Sequence, residues 1–341
     1  MALLDPAVLI GESPGMVALR ATVTRLLERE SPAHRLPPIL LLGETGTGKS
    51  LLAREIHRLG PRNEHPFIGV SCAAIPEGLL EAELFGFEQG AFTDARQGKP
   101  GLFHAADRGT LFLDEIGALS TGLQAKLLTV IDEQLVRRLG TTRSEAVSVN
   151  VISATNDDLT RLVAERRFRE DLYYRLSTLV LHLPPLRRRG DDILLLARHL
   201  LAKVCSKHGL SARTLTDDAC RALLAHGWPG NVRELANVIE RAVLLTTGPS
   251  IAARELALGS GRHAGEGVAP PSGEGPAVGP ERDRLRALLR EVGGNLTKAA
   301  ERLGLPRNTL RYRLRKEGLR RTEPGGSSGD PGIWIKWDRR R

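Results

Sequence analysis

Two patterns of apolar and polar positions occur in the first half of the chain: short, nearly continuous apolar runs, and longer stretches with regularly spaced apolar residues. Five such runs predict β-strands at residues 39–42, 67–71, 110–113, 147–154 and 179–183. The stretches between them repeat their apolar positions every three to four residues, which is typical of helices. Strands that alternate with helices predict an α/β fold with a mostly parallel, doubly wound sheet.

A second pattern begins after the two prolines at positions 184 and 185. Helical periodicity continues there without strand-like runs, at residues 191–207, 216–225 and 231–245. We therefore predict an α/β subdomain over residues 8–183, followed by a small, all-helical lid subdomain over residues 184–258.

The composition changes again after the lid. Glycine, proline, serine and alanine dominate residues 259–280, which predicts a flexible linker. Short helices are predicted beyond it at residues 281–292, 297–303 and 307–317, within a domain of residues 281–320. Residues 321–341 are predicted to be a disordered tail; docking of Trp334 and Trp337 on a partner is the alternative.

Positive charge is concentrated at the C-terminal end. Residues 281–341 carry 17 Lys and Arg against 8 Asp and Glu, a net charge of +9. The whole 341-residue chain has the same net charge of +9. Polyanion binding is therefore predicted only for this end. The three cysteines lack paired spacing, and no apolar run approaches the roughly 20 residues that span a bilayer. These features predict a cytoplasmic protein without a membrane segment.

Residues 43–50 read GETGTGKS and match the phosphate-loop pattern GxxxxGK[ST] between a predicted strand and a predicted helix. Gly46 and Gly48 allow backbone N–H groups to turn toward phosphate, and Lys49 can neutralise the β and γ phosphates. The predicted nucleotide-binding residues here are Gly43, Glu44, Thr45, Gly46, Thr47, Gly48, Lys49, Ser50 and Leu51.

Two further strand ends carry chemistry that suits nucleotide hydrolysis. The run TLFLDE ends in Asp114, which suits Mg²⁺ coordination together with Ser50, and in Glu115, which suits activation of the attacking water. The run SATN ends in Asn156, which we expect near the γ-phosphate or its water. ATP and Mg²⁺ are therefore the predicted cofactors.

Three arginines have two interpretations each. Arg169 and Arg175, in FREDLYYRL, are either solvated charges or arginine fingers that reach the γ-phosphate of a neighbouring subunit. Arg233, in WPGNVREL, is either a charge at a helix terminus or a contact to the same phosphate from the lid.

Residues 83–95, ELFGFEQGAFTDA, predict an exposed tip with glycine hinges between the phosphate loop and the acidic strand. Phe92 is a core aromatic in one interpretation. In the other, which its small neighbours Gly90 and Ala91 favour, it is a contact for a partner.

In their order, these segments resemble the AAA+ domain of the sigma-54-dependent transcriptional activators, the bacterial enhancer-binding proteins. The resemblance extends over about 240 residues, from IGES at 10–13 to WPGNVREL. It implies a ring, commonly a hexamer, that hydrolyses ATP at subunit interfaces, with Arg169 and Arg175 acting in trans. It also implies that the chain remodels the sigma-54 RNA polymerase holoenzyme to open promoters. The expected sigma-factor contacts are Gly90, Ala91, Phe92, Thr93, Asp94 and Ala95.

The chain departs from the family pattern at two residues. Asp94 replaces the second glycine of the usual GAFTGA loop, adding a side chain and a charge. Ser71 replaces an asparagine that often restrains the catalytic glutamate, and it can still form a hydrogen bond over a shorter reach. The phosphate loop at residue 43 also leaves no room for the N-terminal receiver or sensor domain of many two-component relatives. We therefore expect control by a separate regulatory protein, constitutive activity, or a partial gene product.

Residues 294–319 resemble the Fis-type helix-turn-helix that ends many of these activators. Gly304 permits the turn, and a basic second helix follows that fits the major groove of double-stranded DNA; a solvated basic helix is the alternative. The predicted DNA-binding residues are Arg307, Asn308, Thr309, Arg311, Arg313, Arg315 and Lys316.

The sequence thus predicts an ATP-dependent transcription activator that binds upstream DNA. Two rivals remain. One is a DNA-binding regulator of the same architecture whose loop no longer engages sigma-54 because of Asp94. The other is an AAA+ remodelling chaperone that acts on another target.

Overall fold

The computed structural model describes residues 9–29, 36–92, 97–258, 289, 291–292, 299–300 and 302. The chain divides into two units, Met1–Gly265 and Glu266–Arg341. In the second unit, Arg302 Nη1 donates to Glu291 Oε2 at 3.0 Å, and Leu289, Ala299 and Ala300 are buried. The predicted linker, the predicted DNA-binding residues and the predicted tail lie outside the described residues.

A five-stranded parallel sheet organises the first unit. Its strands are β1 (Ile39–Leu42), β2 (Phe67–Ser71), β5 (Thr110–Asp114), β8 (Asn150–Thr155) and β9 (Leu179–His182). They are arranged across the sheet in the order β2-β5-β8-β1-β9. The predicted α/β fold and all five strands are confirmed. The fourth strand starts later than predicted, because Val147 N donates to Gln134 O outside the sheet.

Helices cover both faces of this sheet. They are α1 (Pro14–Arg29), α2 (Lys49–Leu59), α3 (Glu77–Phe85), α4 (Leu102–Ala105), α5 (Thr121–Glu133), α6 (Leu159–Ala164) and α7 (Glu170–Leu176). Ile39 and Leu41 pack in a core with residues of α1 and α2, whereas Leu40 packs in a core with α3, α5 and α7. Successive strand residues point to opposite faces, so burial of both faces explains why the strands read as continuous apolar runs.

Two small hairpins project from the α/β subdomain. The first pairs β3 (Gly86–Phe87) with β4 (Lys99–Pro100) and encloses the predicted tip; the second pairs β6 (Leu135–Arg137) with β7 (Ser144–Ala146). The hairpins are joined where Glu88 N donates to Leu139 O and Leu139 N donates to Gly86 O, both at 2.9 Å. Sequence reasoning missed these strands because two or three residues are too few to establish an alternating pattern.

The lid is helical, as predicted, and has its own core around Trp228. Its helices are α8 (Asp192–Lys207), α9 (Asp217–Ala225), α10 (Asn231–Leu245) and α11 (Ala253–Leu256). The structure adds one short parallel pair to the prediction, β10 (Thr214–Leu215) with β11 (Ser250–Ile251). Within the described residues, none of the helices has the length and hydrophobicity needed to cross a membrane.

Candidate functional site

The phosphate loop joins the end of β1 to the start of α2, as its motif requires. Gly46 and Gly48 have φ angles of 81° and 107°, a region that residues with a side chain rarely adopt. A Cβ on Gly46 would also lie 2.4 Å from the carbonyl oxygen of Gly230. Glycine at position 46 is therefore required by backbone conformation and by the close approach of the lid.

Lys49 opens α2 and lies largely buried beneath the loop. Its Nζ donates to the carbonyl oxygens of Gly43 at 2.8 Å and Glu44 at 3.2 Å. Burial lowers the pKa of Lys49, and the nearby carboxylates of Asp114 and Glu115 act in the opposite direction. The site therefore holds one buried ammonium close to two carboxylates.

Ser50 and Asp114 come together although 64 residues separate them in the sequence. Ser50 Oγ lies 3.3 Å from Asp114 Oδ2, at the edge where the parallel strands β1 and β5 both end. A hydroxyl and a carboxylate oxygen are ligands that suit Mg²⁺. The residues present therefore fit the predicted metal.

Glu115 follows β5 in a strained conformation. Its φ of 57° and ψ of 47° lie in the left-handed region, where a residue other than glycine, asparagine or aspartate is uncommon. Its Oε2 accepts a hydrogen bond from Ser71 Oγ at 2.8 Å. Ser71, which stands where the family often has an asparagine, therefore still forms a hydrogen bond with the side chain of Glu115. Strain of this kind concentrates at functional sites.

These groups line one cleft of about 330 Å³ between the α/β subdomain and the lid. Its lining consists of Thr45, Gly46, Gly48, Lys49, Ser50, Leu51, Asp114, Glu115, Asn156, Val232, Arg233 and Ala236. The structure thus brings Asn156, from the end of β8, and Arg233, from the lid, to the phosphate loop. Gly43, Glu44 and Thr47 are predicted nucleotide-binding residues that are not part of this lining.

The two predicted arginine fingers also lie outside the cleft lining. Arg169 immediately precedes α7 and bonds to both carboxylate oxygens of Asp171, at 3.0 and 2.7 Å. Arg175 Nε lies 2.6 Å from Asp132 Oδ1 on α5. The two arginine side chains are 43% and 46% exposed. Both guanidinium groups are therefore presented at the surface.

The tip is described as far as Phe92. Gly90 has a φ of 81°, and a Cβ there would meet nothing within 4 Å. Phe92 is 46% exposed, and its ring lies 4.8 Å from the ring of Phe87. The alternative of a core aromatic is therefore not supported. Thr93, Asp94 and Ala95 lie outside the described residues.

Sequence reasoning missed the contacts between the phosphate loop and the lid. Arg187 bonds to both carboxylate oxygens of Glu44, and Asn231 Nδ2 also donates to Glu44. Asn231 is fully buried with a φ of 51°. An asparagine at the first position of α10, next to Gly230, was the available signal, since asparagine tolerates this conformation better than most residues.

The sheet, the phosphate loop, the acidic strand end and the helical lid together define an AAA+ ATPase. Residues 9–182 match the Sigma-54 interaction domain family, residues 187–266 match the AAA+ ATPase lid domain, and residues 280–316 match the bacterial regulatory proteins of the Fis family. The chain therefore belongs to the sigma-54-dependent transcriptional activators and carries a Fis-type helix-turn-helix for DNA binding.

Several relatives are similar over most of the chain. The response regulator protein PilR of Pseudomonas aeruginosa is 44% identical over 316 residues, covering 91% of this chain and 70% of PilR. The transcriptional regulatory protein ZraR of Klebsiella oxytoca is 42% identical over 307 residues, covering 90% and 68%. The crystal structure of Brucella abortus NtrX in complex with ADP has a TM-score of 0.67 and 33% identity, covering 91% of this chain and 70% of NtrX.

Proposed function

We propose that this activator hydrolyses ATP at the interfaces of a homo-oligomeric ring, commonly a hexamer, and uses the energy to remodel the sigma-54 RNA polymerase holoenzyme. One observation carries the proposal. The cleft of a single chain holds Lys49, Asp114 and Glu115, whereas Arg169 and Arg175 face outward. A neighbouring copy can therefore supply Arg169 and Arg175, which this cleft does not receive from its own chain.

In this proposal, Lys49 and the loop N–H groups bind the phosphates of ATP, and Arg233 contacts them from the lid. Ser50 and Asp114 would hold Mg²⁺, which when bound neutralises charge on the β and γ phosphates. Glu115 orients and activates the attacking water, and Asn156 lies where it can contact that water or the γ-phosphate. The structure of Brucella abortus NtrX in complex with ATP, at 32% identity and a TM-score of 0.67, supports a nucleotide in this fold.

Arg169 and Arg175 then act on the γ-phosphate of a neighbouring subunit. Each arginine is bonded to a carboxylate of its own chain that is itself 45–46% exposed. Ion pairs at the surface contribute only about 0–1 kcal/mol, so a phosphate can replace either carboxylate at small cost. The guanidinium would then stabilise the charge that develops in the transition state.

The tip of residues 90–95 is proposed to contact sigma-54 through Phe92 and Thr93. Exposure of Phe92 supports this role, and so does the hydrogen-bonded connection between the two hairpins at its base. The C-terminal helices are proposed to bind upstream double-stranded DNA through Arg307, Asn308, Thr309, Arg311, Arg313, Arg315 and Lys316.

Capture of sigma-54 tests this proposal. Purified protein would be mixed with isolated sigma-54 and ADP-aluminium fluoride, which imitates the transition state of hydrolysis, and the complex would be resolved on a native gel. We expect a stable complex that ADP alone does not support. If none forms while ATP turnover and DNA binding are normal, the regulator whose loop does not engage sigma-54 becomes the better account. Recovery of capture by Asp94→Gly would then identify Asp94 as the cause.

A further inference from the structure

Three consecutive carbonyl groups of the phosphate loop accept hydrogen bonds from the lid. Asn231 Nδ2 donates to Thr45 O at 3.0 Å, the backbone N–H of Val232 donates to Gly46 O at 3.0 Å, and Arg189 Nη2 donates to Thr47 O at 2.9 Å. Lys49 already bonds the two preceding carbonyls. A loop whose carbonyls are bonded in this way can direct its N–H groups to an anion in the cleft.

Asn231 is central to this contact. Its Oδ1 accepts a hydrogen bond from Leu186 N at 2.8 Å, and its Nδ2 also donates to Glu44 Oε2 at 3.1 Å. The side chain therefore joins the start of α10 to the segment before α8 and to the phosphate loop. Each of these hydrogen bonds is buried or partly buried, where the loss of a partner costs more than at the surface.

Glu44 turns its carboxylate toward the lid. Arg187 Nη1 and Nη2 bond to its two oxygens at 2.7 and 2.5 Å. The hydrogen bond from Arg187, followed by the one from Asn231, lowers the pKa of Glu44 to about 2, so the group stays ionised. An ionised carboxylate in the phosphate loop would oppose the binding of an anion, and the guanidinium of Arg187 offsets its charge.

We propose that Asn231, Glu44 and Arg187 form a lid latch that shapes the phosphate loop and places Arg233 in the cleft. Arg233 lies two residues after Asn231. A Cβ added to Gly46 would lie 3.2 Å from the Cβ of Arg233, so Arg233 closely approaches the phosphate loop. The latch makes the lid part of the phosphate-binding surface within one chain. It rests on the proposed assignment of the cleft as the ATP site and does not depend on contact with sigma-54.

The test is a double-mutant cycle between Asn231 and Arg233, with binding of a fluorescent ATP analogue to the full chain as the readout. Asn231→Gly keeps the left-handed backbone accessible and removes all three side-chain hydrogen bonds. We expect Asn231→Gly and Arg233→Ala each to raise the Kd about tenfold, since hydrogen bonds to charged groups contribute on this scale. In the Asn231→Gly background, Arg233→Ala should add less than about twofold, because Arg233 is no longer positioned.

If the two substitutions raise the Kd independently, so that their separate factors multiply in the double variant, the latch is overturned. A Kd for Asn231→Gly equal to that of the unchanged chain would also overturn it. If Asn231 only stabilises the fold and does not position Arg233, Asn231→Gly should lower the Tm while the two effects on the Kd stay independent. Lys49→Ala separates the two proposals: if it binds ATP normally, the site assignment fails and the latch falls with it. If Lys49→Ala loses binding and Asn231→Gly does not, only the latch fails.

An added negative charge gives a second test, which leaves no cavity in the lid. Asn231→Asp retains the acceptor for Leu186 N but places a carboxylate against Glu44, so we expect weaker binding than in Asn231→Gly. Adding Glu44→Gln supplies an amide donor and should recover at least about threefold in Kd. Glu240→Gln, which removes a comparable exposed partner of Lys207 elsewhere in the lid, is the matched control and should bind normally. Absence of recovery in the folded double variant would count against the latch.

Discussion

Two cations at the phosphate loop are held differently from the two arginines beside and within helix α7. Around the loop, Lys49 is buried and bonded to carbonyl groups, and Arg189 is buried against the same loop. Beside and within α7, Arg169 and Arg175 are about half exposed, and each pairs with a carboxylate that is equally exposed. The first region is fixed by its own chain, whereas the second can exchange partners. One chain thus has a cleft whose cation is fixed by its own chain and surface arginines that lie outside that cleft.

The largest effect that we expect from this difference is that of Arg175→Ala. We expect ATP turnover per subunit to fall about 1000-fold, the lower end of the effect of an arginine finger, because transition-state charge loses its stabilisation. Binding of ATP to the isolated chain should be retained, since Arg175 does not line its own cleft. Turnover at saturating ATP and equilibrium binding measure the two quantities separately.

Mixing experiments determine whether Arg175 acts within one chain or between chains. Glu115→Gln should also be inactive, because it lacks the group that activates water. In a mixture of Arg175→Ala with Glu115→Gln, a cleft with an intact Glu115 can receive Arg175 from a neighbouring copy. We expect part of the turnover to return. A mixture that co-assembles and stays inactive would contradict action in trans.

The fixed region is tested by Lys49→Ala. Loss of the buried ammonium should weaken ATP binding about 100-fold, equivalent to about 3 kcal/mol. DNA binding by the C-terminal helices should be unchanged, because Lys49 belongs to the other unit of the chain, and an unchanged Tm serves as the control for folding. Calorimetric titration with ATP and protection of target DNA provide the measurements; normal ATP affinity would show that the cleft is not the nucleotide site.

The sequence predicts one part of this site better than the other. Lys49, Asp114 and Asn156 each follow a strand, and parallel strands end at one edge of the sheet, so spacing and topology were sufficient. The contact of Glu44 with Arg187 joins residues 143 positions apart through side-chain directions. Local periodicity contains no information about such directions, and the same holds for the contact of Arg175 with Asp132.

A third prediction concerns the other outward-facing element, the tip. Phe92→Ala should weaken capture of sigma-54 in the presence of ADP-aluminium fluoride about 30-fold, the scale of an aromatic residue at the centre of an interface. ATP turnover should stay within about twofold, because Phe92 does not line the cleft. Leu245→Ala, which shortens a side chain that is 76% exposed in the lid, is the control and should leave capture unchanged. If Phe92→Ala and Leu245→Ala weaken capture of sigma-54 equally, the proposal that the tip contacts sigma-54 is contradicted.

The smallest effect is expected from Asp132→Asn, which addresses the exchange of partners directly. The substitution weakens the ion pair that holds Arg175 in its own chain, without changing the arginine. If a phosphate of a neighbouring subunit competes with Asp132 for Arg175, the protein concentration for half-maximal turnover should fall about threefold, within the range of surface ion pairs. Glu165→Gln, which removes the partner of Arg161 on α6, is the matched control and should not shift that concentration. A higher concentration for Asp132→Asn would mean that Asp132 aligns Arg175 for its role rather than competing for it, and α7 would then be as fixed as the phosphate loop.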